Sequence, residues 1–301
     1  MKKLLCLFLA ILIVVLSLSA CSETPAATEP SSQELARFEI LELGGYDHIS
    51  GANHSDDFRL TYDEEAKRPA DKQKINIIRN GTEYELPYYQ TRGSYLYHDT
   101  RDIYRIQTTE KLIEIELNRY TGRVDFYSWY DRDYLHAVPS DELTREECLT
   151  IARAYLGDYI EDSAQYDLIA DSYSTASDSY LFTFSRLVDG VETYDRAKIR
   201  VTVYGDVITH SFGSLGSMRD AILPTQETMD DIQAGLDERL EKIYAPLEDK
   251  YNVSYELNKE EFLRLADGTY ALKYDFAVHA APKNSEQSPW VEGTHLLVRL
   301  N

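Results

Sequence analysis

"LTREECLTIARAYL", residues 143–156, is followed after a polar stretch by "YLFTFSRLVDGVETYDRAKIRVTVYGDVITHS", residues 180–211. The first segment carries the marks of a helix. Thr144 and Glu147 stand at the spacing of a capping box, and Leu143 is placed to staple onto Cys148 one turn in. Cys148, Ile151, Ala152, Tyr155 and Tyr159 then recur at helical spacing, so one face should be buried, and Gly157 offers a C-terminal cap. Cys148 on that face reads as a small core residue. The second segment, with "YDLIADSYS" before it, alternates apolar and polar residues between turns rich in Ser, Asp and Gly, which predicts three or four strands. The order is a helix and then an antiparallel sheet.

That order returns after Pro224. Met229, Ile232, Leu236, Leu240 and Ile243 share a helical face that Pro246 should end or kink. "YALKYDFAVH" and "THLLVRL" follow, with Tyr270, Leu272, Tyr274, Phe276 and Val278 on one side of the first and Leu296, Val298 and Leu300 on one side of the second. Residues 37–137 show strand signals and little helix. "KLIEIELN" sets Ile113, Ile115 and Leu117 against Glu114, Glu116 and Asn118, the pattern of a half-buried strand with its polar face in water, and "RYTG" then turns it into "RVDFYSW". Asn80-Gly81 signals a second hairpin. "IELNRYTGRVDFY" and "IRVTVYGDVITHS" share an outline in which Val124 and Val207 each stand two residues past a turn glycine. The expected fold class is therefore α+β: a helix packed on a small antiparallel sheet, repeated over 138–218 and 224–301, preceded by a β-rich unit over 37–137.

The segment 143–211 resembles the PepSY-like domains of extracytoplasmic bacterial proteins, which also occur in the propeptides of thermolysin-type proteases. Phe184, Arg186 and Gly190 in an F-x-R-x-x-x-G run carry the resemblance, together with the closing strand, turn and strand. It covers residues 140–213, reaches 225–301 in outline and 37–135 weakly. The resemblance implies a PepSY-like helix-on-sheet fold and a role in binding or inhibiting proteases near the envelope, or as an accessory lipoprotein. It brings no catalytic residue with it.

The chain opens on Lys2 and Lys3 and an uncharged apolar run from Leu4 to Ala20, the layout of a secretory signal peptide over residues 1–20. The run falls short of the roughly 20 apolar residues that a membrane span needs. Leu18, Ser19, Ala20 and Cys21 resemble the lipobox of bacterial lipoproteins, and that resemblance implies a covalent diacylglycerol on Cys21 and no other cofactor. Each acyl CH₂ buried in a bilayer contributes about 0.8 kcal/mol, and two chains give stable anchoring. Residues 21–36, rich in Ser, Thr, Pro, Ala and Glu, read as a lipidated flexible linker. The expected location is the cell membrane, with the body lipid-anchored and facing outside the cytoplasm.

With 52 acidic against 31 basic side chains the net charge is −21, which argues against nucleic acid as a partner. Seven histidines, at 48, 54, 98, 136, 210, 279 and 295, are scattered without a zinc-ligand spacing. His54, Asp56 and Asp57 read as a solvated turn, Asp131–Asp133 lacks the glycine and terminal glutamate of a calcium loop, and "GSLGS" at 213–217 does not match a nucleophile elbow and reads as a hinge. The chain is therefore expected not to be an enzyme. Its 24 tyrosines point to sheets with wet faces. Aromatic rings crowd residues 84–134, and Tyr88, Tyr89, Tyr127 and Trp129, with Trp290 in a later loop, are the candidate ligand contacts, each also an ordinary strand or lid residue. The expected function is a non-catalytic binding or accessory module for an envelope protein, protease, peptide or glycan. A tethered protease inhibitor and a cell-wall or peptide hydrolase are the alternatives.

Overall fold

The structure, a computed structural model, describes residues 38–45, 67–93, 97, 99–131, 141–284 and 288–301. The leader, the linker with Cys21, the His54 cluster, Tyr95 and Tyr134 lie outside the described residues. Thirteen strands join into one sheet network: β1 (Phe38–Gly44), β2 (Lys74–Arg79), β3 (Thr82–Arg92), β4 (Arg101–Gln107), β5 (Lys111–Asn118), β6 (Val124–Asp131), β7 (Tyr166–Ser174), β8 (Ser179–Val188), β9 (Val191–Thr202), β10 (Val207–Phe212), β11 (Tyr251–Arg264), β12 (Tyr270–Pro282) and β13 (Trp290–Leu300). Two α-helices are found among the described residues, α1 (Arg145–Gly157) and α2 (Gln226–Tyr244).

This overturns the expected fold class of a helix packed on a small antiparallel sheet, repeated. The architecture is instead one large mixed sheet. Two long-range pairings make the difference. β6 pairs antiparallel with β10, and β11 meets β9 in the single parallel contact of Phe262 with Thr193. Alternation within a segment reports which residues face a core, and says nothing of which strand lies alongside.

Both helices form where the sequence places them, although Gly157 is the last helical residue of α1 and Asp158, not Gly157, caps its C-terminus. Thr144 caps α1 with its hydroxyl toward the Glu147 N–H, and the Glu147 carboxylate accepts from the Thr144 N–H, the reciprocal bonds of the capping box. Cys148, Ala152 and Leu156 of α1 pack against Phe182, Phe184, Ala197, Ile199 and Val201. Cys148 sits fully in that core, and burial pushes its thiol upward. Ile232, Leu236, Leu240 and Tyr244 of α2 pack against Leu272, Phe276, Val278, Leu296 and Val298, and the chain tightens into a 3-10 turn at Ala245–Leu247, where Pro246 stands. The hairpin turn Asn80-Gly81 has φ of 49° and 77°, the signature of a type I′ turn.

One sheet face departs from the expected pattern. Glu116 and Asn118 are buried: Glu116 is 2% exposed and accepts from Arg92 and Arg101, while Asn118 donates to Asp125. Arg101 also reaches Asp99 at 3.1 Å and the Phe212 carbonyl at 3.2 Å, so the face opposite Ile113 and Ile115 carries a buried ion network. A strand covered on both sides can keep its polar residues only if they are paired.

β3 to β6 and β10 to β7 run in mirrored order, β3-β4-β5-β6-β10-β9-β8-β7, through the β6–β10 contact. Counting three residues on from the equivalent Val124 and Val207 reaches Tyr127 and His210, and these two stand directly opposite each other. An antiparallel pair brings a residue opposite its own counterpart only at a local twofold axis. The shared outline of the two hairpins thus reflects a pseudo-symmetric sheet.

Candidate binding groove

The β2–β3 hairpin leaves the main sheet at an irregularity between Tyr88 and Gln90 and folds over one face of it. Ile75, Ile77, Tyr84 and Leu86 of the hairpin meet Ile113, Ile115 and Trp129 of the sheet. Between β2, the sheet and α1 the packing opens into two depressions of about 530 and 390 Å³ that share Ile77, Ile115 and Val124 and so form one open groove. Lys72, Lys74, Asn76, Ile75 and Leu117 complete the first. Ile78, Arg79, Tyr127, Tyr155, Tyr159, Asp206, Val207 and His210 line the second.

The wall of the second depression is a chain of hydrogen bonds. His210 is 1% exposed, with Nε2 at 3.0 Å from the Val124 carbonyl and Nδ1 at 2.8 Å from the Tyr155 hydroxyl. A carbonyl only accepts, so Nε2 carries the proton and Nδ1 accepts from Tyr155. Burial depresses the imidazole to about 4, which keeps the ring neutral. Tyr155 lies 3.2 Å from the Tyr159 hydroxyl, and burial drives its phenol far above the ordinary range. Arg79 bonds the Tyr127 hydroxyl, lies 4.7 Å over the Trp129 ring and sits 3.8 Å from Asp206. Both ring nitrogens of His210 are occupied, so it offers no lone pair to a substrate. Among the described residues no group of His, Cys, Asp or Glu is arranged to hold a metal ion.

The sequence-derived contacts do not converge. Tyr127 alone lines the groove. Trp129 is buried in the hairpin core at 4% exposure. Tyr88 is half-buried and shares a hydrogen bond with Thr91, and Tyr89 lies exposed beneath the Arg105 guanidinium. Trp290 starts β13, far from the groove in the sheet order, and meets Tyr251 edge to face. Sequence reasoning passed over Arg79, Tyr159 and His210 as a site, because no spacing links residues drawn from β2, the turn after α1 and β10. The one available signal was the hairpin outline that makes His210 the counterpart of Tyr127.

The F-x-R-x-x-x-G residues have a structural task. Arg186 bonds Asp162 and Gln165, lies over the Tyr166 ring and stands 3.4 Å from Asp195, while Gly190 closes the β8–β9 turn at φ 87°. "GSLGS" is pinned rather than hinged, since Asp195 accepts from the Gly216 N–H at 2.8 Å and the Met218 N–H at 3.3 Å. A side chain at Gly213 would strike the Tyr194 carbonyl.

No described helix is long and apolar enough to cross a membrane. No curated protein sequence matches the chain. Among solved structures it is similar to the Bacillus megaterium YpeB C-terminal domain, at 13% identity and a TM-score of 0.33, over 77% of this chain and 93% of that one. Residues 55–213, which contain β2 to β10 and α1 and so both mirrored halves of the sheet, match the YcdB, YcdC repeated domain. By that match, which spans more than half of its length, the chain belongs to the YcdB, YcdC repeated-domain family.

Proposed function

We propose that this protein is a non-catalytic binding module, tethered outside the cytoplasmic membrane by lipid on Cys21, whose groove captures part of an envelope partner. One observation carries the reading: an open groove with an apolar floor of Ile77, Ile115 and Val124, whose wall of His210, Tyr155 and Tyr159 is bonded within itself instead of converging on a point where a bond could be broken. Such a surface offers burial and orientation, and a reaction would need a base or nucleophile with a vacant position.

A photo-crosslinking residue placed at Ile78, on the groove rim, is expected to give a discrete protein adduct in native cells. The same residue at exposed Ile222 should give none. Equal labelling from both positions would remove the support for a groove partner. The tether is tested separately, since Cys21→Ser should move the protein from the membrane fraction to the soluble one.

A further inference from the structure

We infer that β2 is a receptor strand: an extended segment of a partner protein, apolar at alternate residues and bearing an acidic side chain, adds to its outer edge above the groove. This rests on the groove reading and names what the groove takes. The type I′ turn fixes the register Arg79↔Thr82, Ile77↔Tyr84 and Ile75↔Leu86 as the pairs that exchange hydrogen bonds with β3. Lys74, Asn76 and Ile78 therefore turn their N–H and C=O groups the other way. Pro87, which has no N–H, stands opposite Lys74, where none is needed.

Among the described residues the strand order ends at β1, β7 and β2. Arg239 of α2 donates to the Ile40 carbonyl of β1, and Arg153 of α1 donates to the Tyr166 carbonyl at the start of β7. No described residue does this for Lys74, Asn76 or Ile78. Ile78 is also 76% exposed, on the kind of strand that proteins otherwise blunt. A segment laid beside β2 would point every second side chain toward Ile115, Leu117 and Val124 on the groove floor. Charge sets the polarity of the guest. The first depression holds Lys72 and Lys74 and no carboxylate among its lining residues; the Lys74 ammonium is paired with Glu85 at 2.6 Å beside it, and the Lys72 ammonium, which has no ion-pair partner among the described residues, is the charge an acidic guest would meet.

The test uses the full mature lipoprotein in detergent and a fluorescein-labelled peptide, Asp-Val-Thr-Val-Thr-Val-Asp, read by anisotropy and by hydrogen exchange of residues 74–79. Asn76→Pro removes an outward N–H and leaves the β2–β3 bonds intact. Asn76→Ala removes only the side-chain bond to Glu83. The expectation is binding by the native protein and by Asn76→Ala, about tenfold weaker binding by Asn76→Pro, and slowed exchange at Asn76 and Ile78 on adding peptide. If Val124→Asp abolishes binding while Asn76→Pro binds normally and the edge amides exchange unchanged, strand addition is wrong and the groove reading survives. If the peptide neither binds nor protects the edge, the inference falls, and crosslinking at Ile78 still decides the groove. Edge protection that rises with protein concentration in the absence of peptide would assign the edge to a second copy of this chain and overturn the partner.

Discussion

Asp195→Ala is expected to cost about 3–5 kcal/mol, seen as a lower urea midpoint with an unchanged slope. The Asp195 side chain is 0% exposed, gathers three donors, the Tyr166 hydroxyl and the Gly216 and Met218 amides, and stands 3.4 Å from the Arg186 guanidinium. Its carboxyl is raised above the ordinary range because burial outweighs those bonds. Truncation leaves the Met218 amide and the Tyr166 hydroxyl without this acceptor and takes a countercharge from the buried Arg186, while the Gly216 amide keeps the Tyr166 oxygen, and each orphaned group costs its desolvation. Asp195→Asn keeps an acceptor for one amide and should lose about half as much. A loss under about 1 kcal/mol for Asp195→Ala would mean that the 213–218 segment is held by something other than this carboxylate.

The second large effect is a pair of opposed pH dependences. Asp99, beside Arg101 but buried and near Asp125, has its carboxyl raised by burial from 3.8 to about 6. The folded state therefore binds that proton more tightly than the unfolded chain, so the contribution of Asp99 is fully present below pH 3.8 and is lost as pH rises through 6. His210 is lowered from 6.5 to about 4, and its contribution is present above pH 6.5 and lost as pH falls through 4. At about 1.4 kcal/mol per unit each spans on the order of 3 kcal/mol, with opposite slopes over the same window. Relative to the native protein, Asp99→Asn should therefore gain stability from pH 4 to pH 6, and His210→Gln should lose it. Urea unfolding at half-unit steps of pH measures both, and parallel curves for the three proteins would refute the assignment.

Much of the local structure was legible. Thr144 with Glu147 announces the start of α1, Asn80-Gly81 announces its hairpin, and the alternation from Tyr270 to Val278 marks a buried strand face, because each signal is contained within one element. The pairing of β6 with β10 and the contact of Thr193 with Phe262 were not, since a strand carries no label for its neighbour. The same gap hid the burial of Glu116, whose charge reads as exposed until Arg92 and Arg101, distant in sequence, are placed beside it. The groove was illegible for the related reason that β2 supplies one wall while α1, β5, β6 and β10, distant from it in sequence, each supply only one or two residues. Tyr127 was singled out as an aromatic contact and does line the groove, whereas Trp129, chosen on the same ground, serves the core.

The mirrored halves that meet at Tyr127 and His210 are, in effect, a dimer fused into a single polypeptide. A linker raises the local concentration of one half at the other into the millimolar range, so their mutual contact can persist with little affinity of its own. Fusion also lifts the requirement, binding on any true homodimer, that both sides of an axis be identical. At this axis one side carries a phenol and the other an imidazole, and the two unlike groups join Arg79, Tyr155 and Tyr159 in the polar wall of the groove.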